Sequence, residues 1–78
     1  MRQWEDDTLV AVKVTNGGKF KVIELPARET EVIASHRIFS TMVKAEAWML
    51  DQYPTATVVF PSDIEAEVEI RKASRKGF

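Results

Sequence analysis

Few side chains in this chain are equipped for covalent or metal chemistry. His36 is the only imidazole and cysteine is absent, which excludes a thiol nucleophile, a thiolate metal site and a disulfide framework. His36 sits inside an apolar, β-branched run, with no serine, cysteine or aspartate at a catalytic spacing, so it reads as a packing or surface residue. Glu65, Glu67 and Glu69 are the densest carboxylates. At alternate positions of a strand they form a row of like charges without convergent geometry, which describes a solvated face better than a cation site. Gly17-Gly18 joins two strands and therefore cannot present amides at a helix start as a phosphate loop does. No nucleophile-elbow, zincin, Walker or dinucleotide motif is present. The expectation is a non-enzyme with no catalytic residue, no metal and no cofactor.

Binding chemistry has more to offer. One set is apolar and aromatic: Val43, Trp48 and Leu50, bordered by Asp51, on a predicted helix. Trp is enriched where partners anchor. Trp4, in the acidic leader Trp4-Glu5-Asp6-Asp7, reads as a terminal residue folded over the core edge. The other set is basic: Lys13, Lys19, Lys21 and Arg37, all on predicted strands. Eleven Lys plus Arg against twelve Asp plus Glu give a formal charge of −1. A general polyanion binder is normally basic, so charge favours a protein partner over nucleic acid.

The elements that must position these residues fit one domain spanning residues 1–78, since 78 residues fall below the usual domain size. Hydrophobic residues make up 45% and charged residues 29%, the balance of a folded chain. No apolar run approaches the roughly 18 residues of a membrane span, and the polar N-terminus lacks a signal-peptide core. A cytoplasmic location and no membrane partner are expected.

Thr8–Val14 and Lys19–Leu25 are β-rich runs flanking Thr15-Asn16-Gly17-Gly18. Asn-Gly supplies the two positive-φ positions of a type I′ turn, predicting a hairpin. Pro26 stops the second strand. A third extended run covers Glu31–Phe39. Ser40 and Thr41 are N-cap residues for a helix over Met42–Tyr53, which Pro54 ends. A fourth strand covers Ala56–Phe60. Ser62–Lys76 carries two conflicting signals. Ser62-Asp63-Ile64-Glu65 is a capping box with acids early and bases late, as in a helix. Ile64, Ala66, Val68 and Ile70 alternate with glutamates, as in a half-buried strand. Periodicity tips the balance slightly towards a strand. The expected fold is α+β: an antiparallel β-β-β-α-β sheet, one central helix on one face, and a C-terminal strand or helix.

The central helix is more apolar than one buried stripe requires. Met42, Ala45, Met49 and Tyr53 share one side, with Trp48 at its margin. Val43, Ala47 and Leu50 form a second strip. Either the C-terminal segment covers that strip, which is the expectation, or it is an exposed patch for dimerisation or partner docking.

Arg37–Leu50 resembles the strand-to-helix junction of the arm-type DNA-binding domains of phage integrases, and more distantly plant AP2 domains. There an aromatic ends the strand, a threonine caps the helix and an Ala-Glu-Ala-Trp-like run faces the sheet. The resemblance implies three strands entering the major groove, with Lys13, Lys19, Lys21 and Arg37 on the corresponding strands. In size, acidity and strand–strand–helix–strand plan the chain is also similar to small phage host-takeover proteins that inhibit bacterial RNA polymerase. Both resemblances imply a phage or mobile-element origin. The leading reading is a non-enzymatic phage-type protein that inhibits or regulates a host macromolecule through protein–protein contacts. The alternatives are a DNA-binding module using the sheet and a structural module that dimerises through the helix.

Overall fold

The computed structural model describes residues 8–76, with side chains described as far as residue 74; the leader containing Trp4 lies outside the described residues. Six elements follow in order: β1 Leu9–Val14, β2 Phe20–Leu25, β3 Ile33–Ala34, α1 Met42–Gln52, β4 Thr57–Val58 and α2 Pro61–Lys76. The strands form one sheet in the order β3-β2-β1-β4. β1 and β2, and β2 and β3, pair antiparallel. β4 joins β1 in parallel, so the sheet is mixed and the antiparallel expectation is corrected. The reason is the helix between β3 and β4: a strand–helix–strand connection returns the chain to the end it started from, so the two strands run the same way.

The β1–β2 hairpin forms, but its turn differs from the expected type I′. Gly18 N–H donates to Thr15 O at 3.0 Å and Thr15 N–H to Lys19 O at 2.8 Å. Among the loop residues only Gly18 has positive φ, at 76°. This is a three-residue loop, a type I turn followed by a left-handed glycine. Asn16 and Gly17 therefore keep ordinary φ values. The expected third strand over Glu31–Phe39 is also broken. Ser35 Oγ accepts the Val22 N–H at 3.2 Å and donates to Arg37 O at 3.0 Å, a hydroxyl replacing a ladder carbonyl. Pairing resumes only as the isolated bridge Phe20↔Phe39.

β1 is the centre of the molecule, with Leu9, Val10 and Ala11 all fully buried. Its alternate residues serve two separate cores. Val10, with Val22 and Met49, packs beneath α1 among Val12, Phe39, Trp48, Tyr53 and Ala56. Leu9 and Ala11, with Ile23, Leu25 and Ile64, pack beneath α2 among Val59 and Val68. The helices thus cover opposite faces of the sheet.

α1 starts where Thr41 Oγ1 accepts the Lys44 N–H at 3.2 Å, a side-chain N-cap. The strand reading of the C-terminal segment is overturned, because the segment is helical throughout Pro61–Lys76. Its cap lies earlier than Ser62. Pro61 takes the first helical position, and Asp63 Oδ2 accepts the Phe60 N–H at 3.1 Å, which is the reciprocal half of a capping box. The buried face is Ile64, Glu67, Val68 and Arg71, while Ala66 and Ile70 point outward. The alternation that suggested a strand was a coincidence of the glutamates at 65, 67 and 69, of which Glu67 is buried, not solvated.

Arg71 explains that burial. Its Nε donates to Glu67 Oε2 at 2.9 Å, and its Nη1 donates to Pro26 O at 2.7 Å and Glu29 O at 2.8 Å. One guanidinium thus ties α2 to the turn after β2. That turn holds Arg28 at φ 68°, a left-handed conformation that costs a side-chain-bearing residue about 1–2 kcal/mol.

Candidate functional site

Because α2 lies on the far face of the sheet, it leaves the second strip of α1 bare, and the expectation that the C-terminal segment covers it is corrected. Val43 is 75% exposed and Leu50 57%. On a helix, Val43 and Leu50 lie about 100° and 80° around from Met42, and Ala47 about 140°. The strip therefore begins beside Met42 and continues onto the outermost ridge.

Met42 also opens a groove between α1 and β4. Val12 and Met49 form its floor, Met42, Val58 and Phe60 its walls, and Glu46 is the one acid on its rim among the described residues; its volume is about 160 Å³. Phe60 is 75% exposed. Its N–H is taken by Asp63 Oδ2 at 3.1 Å. β4 is an edge strand. Thr57 and Val59 donate their N–H groups to Thr8 O and Val10 O of the β1 side. By strand alternation the Val58 N–H and C=O face the open edge. Groove, ridge and edge form one apolar border with backbone hydrogen-bonding groups beside it.

The residues anticipated for partner binding fall in two environments. Val43, Leu50 and Asp51 are exposed on α1. Trp48 is half-buried in an aromatic row, 5.7 Å from Phe39 and 6.3 Å from Tyr53 between ring centroids, with the Arg37 guanidinium 5.8 Å over Phe39. Tyr53 closes the row; its hydroxyl is held above its ordinary pKa, by burial first and then by the nearby Glu24 carboxylate. Met42, Val58 and Phe60 were not anticipated as site residues. Val58 and Phe60 share one face of the fourth predicted strand, but nothing local says that this strand is an edge.

The four basic residues are not one patch. Lys13 lies directly opposite Lys21 in the β1–β2 register, and the two line a hollow of about 410 Å³ with Thr15, Asn16 and Ile38. Lys19 is exposed at the turn, and Arg37 is occupied with Phe39. The sheet face opposite α1, which the integrase resemblance assigns to DNA, is covered by α2 over Leu9, Ala11, Ile23 and Leu25. Only the Lys13–Lys21 end of it stays open.

His36 is exposed. Among the described residues no group of three or more His, Asp or Glu side chains is placed to hold a metal ion. No helix of the described residues is long and apolar enough to cross a membrane. No family model, curated protein or solved structure matches the chain.

Proposed function

We propose that this chain is a non-enzymatic binding protein that inhibits or regulates a host macromolecule through protein–protein contacts, in the manner of the small phage proteins it resembles in plan. One observation carries the reading. Half of the exposed large apolar side chains among the described residues (Met42, Val43, Leu50, Val58 and Phe60) lie on the outer side of α1 and the adjoining sheet edge. Apolar surface concentrated in this way marks a docking site. The open edge of β4 suits an extended segment, whose backbone would pair with the Val58 amide and carbonyl while a side chain fills the groove at Phe60. Lys44, Glu46 and Asp51 around the patch steer encounter and set specificity.

The test is affinity capture on the full chain from bacterial lysate, with and without nuclease, comparing wild type with Phe60→Ser. A stoichiometric partner that survives nuclease and is lost with Phe60→Ser supports the reading, provided circular dichroism shows the variant folded. A partner retained by folded Phe60→Ser overturns the groove as the site.

Nucleic acid is a second reading, supported by the opposed Lys13 and Lys21. Under it, binding weakens steeply as salt rises and fails in Lys13→Glu; a flat salt dependence counts against it.

A further inference from the structure

We propose that two copies of this chain associate through α1, packed antiparallel about a twofold axis beside Ala47. This rests on the reading of α1's outer face as a docking surface. It assigns the ridge to a second copy and leaves the Phe60 groove to a different partner.

The first support is position. Relative to Met42, buried Ala45 and Met49 lie at about −60° and −20° around the helix, and Val43, Ala47 and Leu50 at about 80–140°. The ridge is therefore almost diametrically opposite the face that packs on the sheet. It is the outermost line of that layer, and α2 is on the other side of the sheet. Two such ridges can meet with no other element of the described residues between them, and Ala47 at the crossing permits a close approach of the helix axes.

The second support is charge. Lys44 and Asp51 share one flank of the ridge, at about 200° and 180° from Met42. Among the described residues neither has an ion-pair partner within its own chain. With a rise of about 1.5 Å per residue, Lys44 lies about 4.5 Å to one side of Ala47 along the axis and Asp51 about 6 Å to the other. Inverting the second helix about Ala47 brings Asp51 of the second copy level with Lys44 of the first, within about 1.5 Å along the axis. Symmetry makes the reciprocal pair as well, as a self-complementary twofold contact requires. The same inversion sets Val43 beside the second copy's Leu50, and Leu50 beside its Val43. On the opposite flank Glu46 is turned to the groove it lines with Phe60, away from the seam. The apolar pairs and the charge pairs thus select the same register.

A seam built on one 11-residue helix is small, so the dimer is expected to dissociate in a range on the order of tens of micromolar. The experiment is sedimentation equilibrium on the purified full chain over a wide concentration series. Wild type is expected to shift from monomer to dimer as concentration rises, and Leu50→Asp to remain monomeric. Lys44→Asp and Asp51→Lys are each expected to weaken association about tenfold, and the double reversal Lys44→Asp/Asp51→Lys to restore it. An equimolar mixture of the two single variants should form heterodimers, because both charge pairs are then complementary. Wild type that stays monomeric throughout, a dimer indifferent to the single reversals, or a double reversal that fails to restore it each overturns the proposal. None of these outcomes alters capture through Phe60, so failure of the dimer and failure of the partner-binding reading are separable.

Discussion

Replacing Arg71 with methionine keeps most of the aliphatic stem and removes the charge and three donated hydrogen bonds. The residues left behind set the size of the effect. Arg71 is 4% exposed and Glu67 6%, so the substitution takes the 2.9 Å guanidinium donor from a carboxylate that is largely shielded from water. Breaking one side of a buried ion pair in this way costs about 3–5 kcal/mol. The carbonyl of Glu29 also loses the Arg71 donor, whereas that of Pro26 keeps the Glu29 N–H at 3.1 Å. The larger part of the loss is therefore expected from the broken ion pair with Glu67. A domain of this size has roughly 4–12 kcal/mol in total, and a urea dependence of about 1 kcal/mol per molar. Arg71→Met should lower the urea midpoint by about 3 M or abolish folding outright. The control is Glu67→Leu/Arg71→Met, which removes both charges together and should lie within about 1 kcal/mol of wild type or above it. Urea melts followed by far-ultraviolet circular dichroism measure all three proteins. A loss below about 1 kcal/mol in Arg71→Met would refute the view that this pair is desolvated and holds α2 to the turn after β2. A double variant as unstable as the single would show that the hydrogen bonds to the Pro26 and Glu29 carbonyls, not the ion pair, carry the effect.

Three further outcomes are expected. Tyr53 has a raised pKa, so its contribution to stability is complete below the unfolded value near 10 and is lost as pH climbs through the folded value. Alkaline melts should show Tyr53→Phe losing less stability than wild type above about pH 10. Gly18→Ala should cost about 1 kcal/mol because its φ is 76°, although an added Cβ meets nothing within 4 Å; Gly17→Ala, with ordinary φ, should cost much less in the same melts. Lys13→Glu converts a like-charge cross-strand pair with Lys21 into an opposite one and should raise stability by a few tenths to about 1 kcal/mol at low salt, a gain that shrinks as salt is added.

The patch on α1 illustrates how a local surplus acquires meaning only from its surroundings. Trp48 and Leu50 both looked available for binding along the helix, yet Trp48 is half-buried between Phe39 and Tyr53 while Leu50 is bare. Helical angles separate them by about 160°, so the division was latent in the spacing. Which side met the sheet was not. The parallel placement of β4 was similarly latent, since any strand–helix–strand unit favours it.

Local chemistry determined much about this protein on its own. The lack of cysteine and of catalytic spacings, the hairpin at Asn16-Gly17-Gly18, the Thr41 cap and the Pro54 stop are all effects of a few neighbouring residues, and short-range sterics and hydrogen bonds suffice to read them. The tertiary structure decided the rest. The segment from Pro61 had local signals for both helix and strand. What separates them is burial of Ile64 and Val68 on a sheet face already built by β1 and β2, together with carbonyls supplied to Arg71 from 42 and 45 residues away in sequence. Those contacts have no local signature, because their partners are brought together only by the fold. The same long-range choice placed α2 across the sheet from α1, and that is why the ridge of Val43, Ala47 and Leu50 faces outward.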